Sequence, residues 1–216
     1  MTAEIMNWFS LPPAAVLVML GAFHGMNPGM GWLFAVALGM QEHRRTAVWR
    51  ALLPLGMGHA LAVAAAVGLA VLAGSVVPMR ALQWAVAGTL LALGVWRMRR
   101  HRHPRWAGMR VGMMGLTAWS FLMASAHGAG LMVVPVFLRM PAMNGQMACH
   151  AALGAAPGAA LLATAWHALG YLAVTAVVAV VVFEKLGLGL LRKAWLNVDY
   201  VWAVALLFTG ALTALL

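Results

Sequence analysis

Residues 21–34 read Gly-Ala-Phe-His-Gly-Met-Asn-Pro-Gly-Met-Gly-Trp-Leu-Phe, and residues 124–137 read Ala-Ser-Ala-His-Gly-Ala-Gly-Leu-Met-Val-Val-Pro-Val-Phe. Each places a His-Gly pair, His24-Gly25 and His127-Gly128, in the middle of a long apolar block and follows it with small residues or proline. The next apolar block of each half carries a second matching element, GHALAVA at 58–64 and WHALGYLAV at 166–174. The third blocks also correspond, WAVAGTLLALG at 84–94 with WAVALLFTGALTAL at 202–215. The elements recur in one order and at similar spacing, which argues against chance repetition in a chain rich in Ala, Leu and Val.

The surrounding composition says what kind of chain carries this repeat. Of 216 residues 64% are hydrophobic and only 8% charged, with a mean hydropathy of +0.91. A soluble globule has about 45–50% apolar and ~25% charged residues, and a disordered chain has still fewer apolar ones. A polytopic membrane protein remains. Six apolar blocks, near 11–40, 50–74, 80–97, 111–138, 155–183 and 199–216, are long enough to cross a hydrocarbon core of ~30 Å at 1.5 Å per residue. The first and fourth are too long for a simple span, so they are expected to tilt or break. Three helices per half is an odd number, and the second copy must therefore run upside down. The expected fold is all-α: one membrane domain over 1–216, with six transmembrane helices in a 3+3 inverted-topology repeat, the halves being 11–97 and 111–216.

The net charge of +10 sorts by loop. Arg44, Arg45 and Arg50 fall between blocks one and two. The run Arg97 to Trp106, with Arg110, falls between three and four, and Lys185, Arg192 and Lys193 fall between five and six. Only Arg80 and Arg139 lie on the other side. This excess marks the cytoplasmic face and leaves both termini outside, as in a bacterial inner (plasma) membrane protein. The basic loops suit anionic lipid, and no nucleic-acid module is expected. The first ten residues hold Glu4 and no Lys or Arg, unlike a cleavable signal peptide. The single Cys149 excludes an intrachain disulfide. A homo-oligomer or a partner subunit in the membrane stays compatible with these features.

The membrane interior holds no central carboxylate: Glu4, Glu42, Glu184 and Asp199 lie in loops or at block ends. Of eight histidines, His24, His59, His127 and His167 lie within apolar blocks, at repeat-related positions. An ionisable group there is costly and marks a functional site unless it only bonds a neighbouring helix. Pro28 removes the amide that would bond the His24 carbonyl, and Gly25, Gly29, Gly128 and Gly130 loosen the same turns. Interrupted helices at matching places in both halves point to a transporter binding site near the midplane.

Imidazoles without carboxylates do not suit Mg²⁺ or Ca²⁺. They suit zinc, copper, nickel and iron, and thioethers shift the preference towards Cu(I). Met123 precedes His127 by one turn and shares its face. Met26, Met30, Met57 and Asn27 are further lining candidates, although Met26 and Met57 face away from their histidines on an unbroken helix. Tyr171, one turn beyond His167, is a candidate to orient it. The segment 139–150 carries Met140, Met143, Met147, Cys149 and His150, soft or borderline ligands fit to capture an ion outside.

The stretch His24-Gly25-Met26-Asn27-Pro28-Gly29 followed by Gly31, with His59 in the second block, resembles the H-x-x-x-P-G-x-G opening of NicO-type nickel/cobalt exporters in the LysE-like transporter superfamily. The resemblance covers mainly the first repeat and implies six membrane helices and a transition-metal substrate. Met30 and Trp32 stand where that family carries His and Lys, a difference leaning towards a softer ion. Two other classes stay open: a redox or catalytic protein with His-ligated metal or b-type haem, and a carrier of an organic solute or proton. No nucleotide fingerprint is present.

Overall fold

Proline and glycine punctuate the first apolar block, and the backbone of this computed structural model follows them. Residues 11–99, 112–140, 149–186 and 198–215 are described. Helix α1, Pro13–Met26, stops where Pro28 withholds its amide. Asn27 before it is extended, as a residue preceding proline tends to be, and its N–H turns back to the His24 carbonyl at 3.2 Å. Its side-chain Oδ1 accepts the Gly29 N–H at 2.9 Å, closing a single 3₁₀ turn over Pro28–Met30. Gly31 then turns the chain at φ +128°, where a side chain would strain the backbone and meet Leu55, and α2, Trp32–Glu42, begins.

The second block forms α3, Arg45–Gly74, and the third α4, Met79–Arg99. The fourth breaks, as the first does, into α5, Met113–Ala126, and α6, Ala129–Leu138, bent by 61°. No proline sits at this second break; Gly128 at φ +72° makes it. Then come α7, Cys149–Val181, which ends in a π turn over Val182–Leu186, and α8, Val198–Leu215. Pro54, Pro135 and Pro157 sit inside helices without ending them.

The described residues are helical, with no strand among them. Two helices, Arg45–Gly74 and Pro157–Lys185, are long and apolar enough to cross a membrane, and the bent pair Met113–Ala126 and Ala129–Leu138 makes a third if it is one span. Pro13–Met26 and Tyr200–Leu215 are apolar but shorter. Among the described residues, two or three helices thus have full membrane length. The first block falls short of it for a local reason, because Asn27–Gly31 divides its apolar residues between two short helices. These helices are compatible with an integral membrane protein.

Helix α1 lies against α7, α5 against α3, α3 against α7, and α4 against α8. Small residues allow the close approaches. A Cβ on Gly21 would stand 2.0 Å from the His167 carbonyl oxygen, one on Gly170 2.1 Å from that of Val18, and one on Gly58 2.2 Å from that of Thr117. Where lipid is as apolar as the side chains, such backbone contact replaces hydrophobic burial as the adhesive between helices. At one end of the bundle Arg45 pairs with Glu184 at 3.0 Å and Arg50 with Glu42 at 3.7 Å.

Candidate metal centre

The crossing of α1, α3 and α7 brings three histidines together. His24, His59 and His167 have no exposed surface, and their ring centroids form a triangle of 4.9, 5.3 and 5.6 Å. Each comes from a different helix, so the cluster exists only in the packed molecule. The close approach of Gly21 to the His167 backbone is what lets α1 carry His24 this near to α7.

The tautomers follow from the partners. His24 Nδ1 lies 2.7 Å from the Leu20 carbonyl. A carbonyl only accepts, so Nδ1 carries the proton and Nε2 keeps its lone pair. That Nε2 is buried without a partner. His59 and His167 are nearly parallel, 8° apart, with their Nε2 atoms at 3.1 Å, so one donates to the other across a single shared hydrogen. The Nδ1 atoms of His59 and His167 are both buried without a partner, so the neutral pair has one Nδ1–H and one bare Nδ1. Whichever ring donates its Nε2–H to the other keeps a bare lone pair on its own Nδ1.

Around the triad runs a buried polar seam. Tyr171 stacks flat on His59, with ring centroids 3.9 Å apart and planes 3° apart. Its hydroxyl donates to the Met30 carbonyl at 2.6 Å, across the first helix break. Ser120 Oγ donates to the Leu55 carbonyl at 2.6 Å, and Thr175 Oγ1 to that of Gly25 at 3.5 Å. Trp32 Nε1 donates to the Met26 carbonyl at 3.0 Å. Carbonyls at and beside the break thus find side-chain donors, as low-dielectric surroundings require. Asn27 Nδ2, by contrast, is buried with no partner.

The four histidines of the apolar blocks do not form one cluster. His127 is buried at the second break, where its Nδ1–H donates to the Met123 carbonyl at 2.8 Å, the same bond to the residue four back that His24 makes. Trp202 contacts both it and His24, at centroid distances of 5.6 and 4.5 Å, and its indole donates to the His127 carbonyl at 2.7 Å. Tyr171 stacks on His59 and bonds the Met30 carbonyl, and so serves those groups in place of His167. Met26 and Met57 are more than half exposed and point outward. Met30 is buried in the core, and Met123 is half-buried, its terminal methyl 3.5 Å from where a Gly29 Cβ would stand. Met140 is half-buried against the core. Met143 and Met147 lie outside the described residues, as do the side chains of Cys149 and His150 at the start of α7.

Several residues of the site were not visible in the pattern. Trp202 belonged to a repeat element whose counterpart, Trp84, is 58% exposed, so periodicity alone gave no reason to prefer one over the other. Ser120 and Thr175 are single hydroxyls in apolar helices. Arg97, placed in a loop by the charge pattern, lies on α4 and donates to the Ala126 carbonyl at 2.8 Å, a group released by the second break.

Among the described residues no group of three or more His, Cys, Asp or Glu has its donors already arranged around one point. The imidazoles must turn for three nitrogens to converge. Three ligands about 2.0 Å from an ion in a plane stand roughly 3.5 Å apart, so the His59–His167 pair needs to open by a few tenths of an ångström. A b-type haem held by two of these rings does not fit, because they touch one another and leave no slot for a macrocycle between them. Comparison with family models, curated proteins and solved structures finds no match to this chain.

Proposed function

We propose that this chain is an integral membrane carrier of a transition-metal ion of the Cu(I), Ni, Co or Zn class, with His24, His59 and His167 as the ligands and His127 as a separate station beyond Trp202. The observation that carries the proposal is the buried imidazole triad, in which the His24 lone pair has no partner. A buried polar atom left unsatisfied costs about 1–3 kcal/mol, a cost a ligand would remove. The neutral imidazole nitrogens are metal donors, and the Leu20 carbonyl holds His24 in the ligating tautomer.

The helix breaks and the packing support transport over a fixed metal. Exchanging the first three apolar blocks for the last three turns the α1–α7 contact into the α5–α3 contact and α6–α3 into α2–α7, while α3–α7 and α4–α8 map onto themselves. An inverted repeat of this kind lets two halves rock about a central site, exposing it to each side in turn. The resemblance of the His24–Gly31 stretch to NicO-type exporters points the same way. Charge favours a monovalent ion among these metals, since among the described residues no carboxylate lies with the groups that touch the triad, and desolvation grows steeply with charge. The basic loops put the Arg45–Glu184 end at the cytoplasm and the Arg139 end outside.

The experiment is elemental analysis of the detergent-purified chain after equilibration with Cu(I), Ni²⁺, Co²⁺ or Zn²⁺, with its visible spectrum. One bound ion per chain and no Soret band is expected. A metal-free protein in every case sinks the proposal.

A further inference from the structure

The two helix breaks hold their histidines in the same chemical form. The Nδ1–H of His24 donates to the Leu20 carbonyl and that of His127 to the Met123 carbonyl, each four residues back. A carbonyl only accepts, so both rings carry the proton on Nδ1 and the lone pair on Nε2. Both are buried, yet His24 stands with His59 and His167 while His127 stands on the far side of Trp202. Their ring centroids lie 4.5 and 5.6 Å from that of Trp202, so one indole lies against both.

Exchanging the two three-helix halves turns His24 into His127 and trades His59 for His167. The His59–His167 pair is therefore common to both arrangements, and only the third ring changes. The halves are not in the same conformation here. Trp202 is buried against His24 and donates to the His127 carbonyl, whereas its counterpart Trp84 is 58% exposed. A cleft of about 640 Å³ lies between α1, α6 and α8, with Phe23, the neighbour of His24, in its lining. The exchanged position lies between α5, α2 and α4 beside Ala126, the neighbour of His127, and there Arg97 of α4 bonds the Ala126 carbonyl.

We propose that the carrier forms a second site for the same class of ion, His127 with His59 and His167, when the two halves exchange conformations. The inference rests on the carrier reading and its inverted repeat. Passage between the sites is a ligand exchange: the bond from the ion to His24 Nε2 breaks as one to His127 Nε2 forms, the bonds to the pair are kept, and neither proton nor electron moves. Trp84 then takes the buried place that Trp202 leaves. Tyr171 weights the balance towards the conformation described. The residue at the matching place after His59 is Val63, which has no hydroxyl, so the bond from Tyr171 to the Met30 carbonyl is not reproduced when the halves trade places.

The test reads the Cu(I) affinity of the full chain in detergent by chelator competition. His24→Ala removes the first site. Adding Tyr171→Phe should raise the residual affinity of that variant roughly fivefold, the worth of one neutral hydrogen bond in such a balance. Adding His127→Ala to the pair should remove the gain. A merely structural role for His127 or Tyr171 gives no gain to remove. An affinity unchanged by Tyr171→Phe, or a gain that survives His127→Ala, overturns the second site. Should the combined variants fail to fold, single variants in proteoliposomes decide: His127→Ala should lose Cu(I) uptake, and His127→Met, which supplies a neutral soft ligand, should restore it. Uptake that persists in His127→Ala, or stays absent in His127→Met, overturns the second site. A wild type that binds no ion sinks the carrier reading and the second site with it, whereas a wild type that binds one ion beside variants that show no gain sinks the second site alone.

Discussion

The Nε2 atoms of His59 and His167 lie 3.1 Å apart, joined across 108 residues of sequence by one shared hydrogen. They are held there by Tyr171, which stacks on His59, and by the approach of α1 through Gly21 to the His167 backbone. An ion bound at both Nε2 atoms would displace the shared hydrogen, and the ring that carried it has a bare Nδ1 to receive it. Binding there would then exchange one tautomer for another without changing the charge of the protein.

The separation of His127 from the triad divides the histidines into two classes. His59→Ala and His167→Ala should each abolish the bound ion, and His24→Ala likewise. His127→Ala should keep the stoichiometry and weaken affinity by no more than the roughly 10–100-fold typical of residues outside the ligand set. Elemental analysis and a chelator competition read both quantities. Loss of the ion in His127→Ala equal to that in His59→Ala would place the site across Trp202 instead.

Tyr171→Phe keeps the ring on His59 and removes the hydroxyl from the Met30 carbonyl. The buried carbonyl is left without that donor, at a cost of about 1–3 kcal/mol. The melting temperature in detergent should fall while metal stoichiometry is preserved. A variant as stable as the wild type would show that the bond contributes nothing to the first break.

Gly21→Val tests the helix crossing. Its Cβ alone would stand 2.0 Å from the His167 carbonyl oxygen, so α1 and α7 must part. Overpacking typically costs about 1–3 kcal/mol, and here it also moves His24 from its two partners. Both stability and metal binding should fall. Gly68→Val, at a position with nothing within 4 Å of an added Cβ, is the control and should change neither.

Gly128→Ala probes the second break, which depends on backbone conformation without a proline. At φ +72° an alanine costs about 1–2 kcal/mol, and its Cβ would stand 3.0 Å from Leu93 Cδ2. The bend should weaken, and the carbonyls of Ala126 and His127 should lose the geometry that Arg97 and Trp202 now satisfy. Amide hydrogen exchange over 126–132 is the readout, with faster exchange expected than in the wild type.

The order of elements and both helix breaks were legible in the amino-acid sequence because their causes are local. Pro28 lacks an amide, Gly128 tolerates a left-handed turn, and apolar runs set where helices lie. The absence of carboxylates from the middle of the apolar blocks, which narrows the site to imidazole, is also a matter of composition. Which histidines meet is another kind of fact. Repeat-related spacing put His24 and His127 on an equal footing, yet contact depends on the angles at which α1, α3 and α7 cross and on the Gly21 and Gly58 contacts that set them. Only the tertiary structure separated Trp202 from its exposed counterpart Trp84, turned Tyr171 onto His59, and lowered Arg97 to the second break, because packing between helices treats the two copies of a repeat differently wherever their neighbours differ.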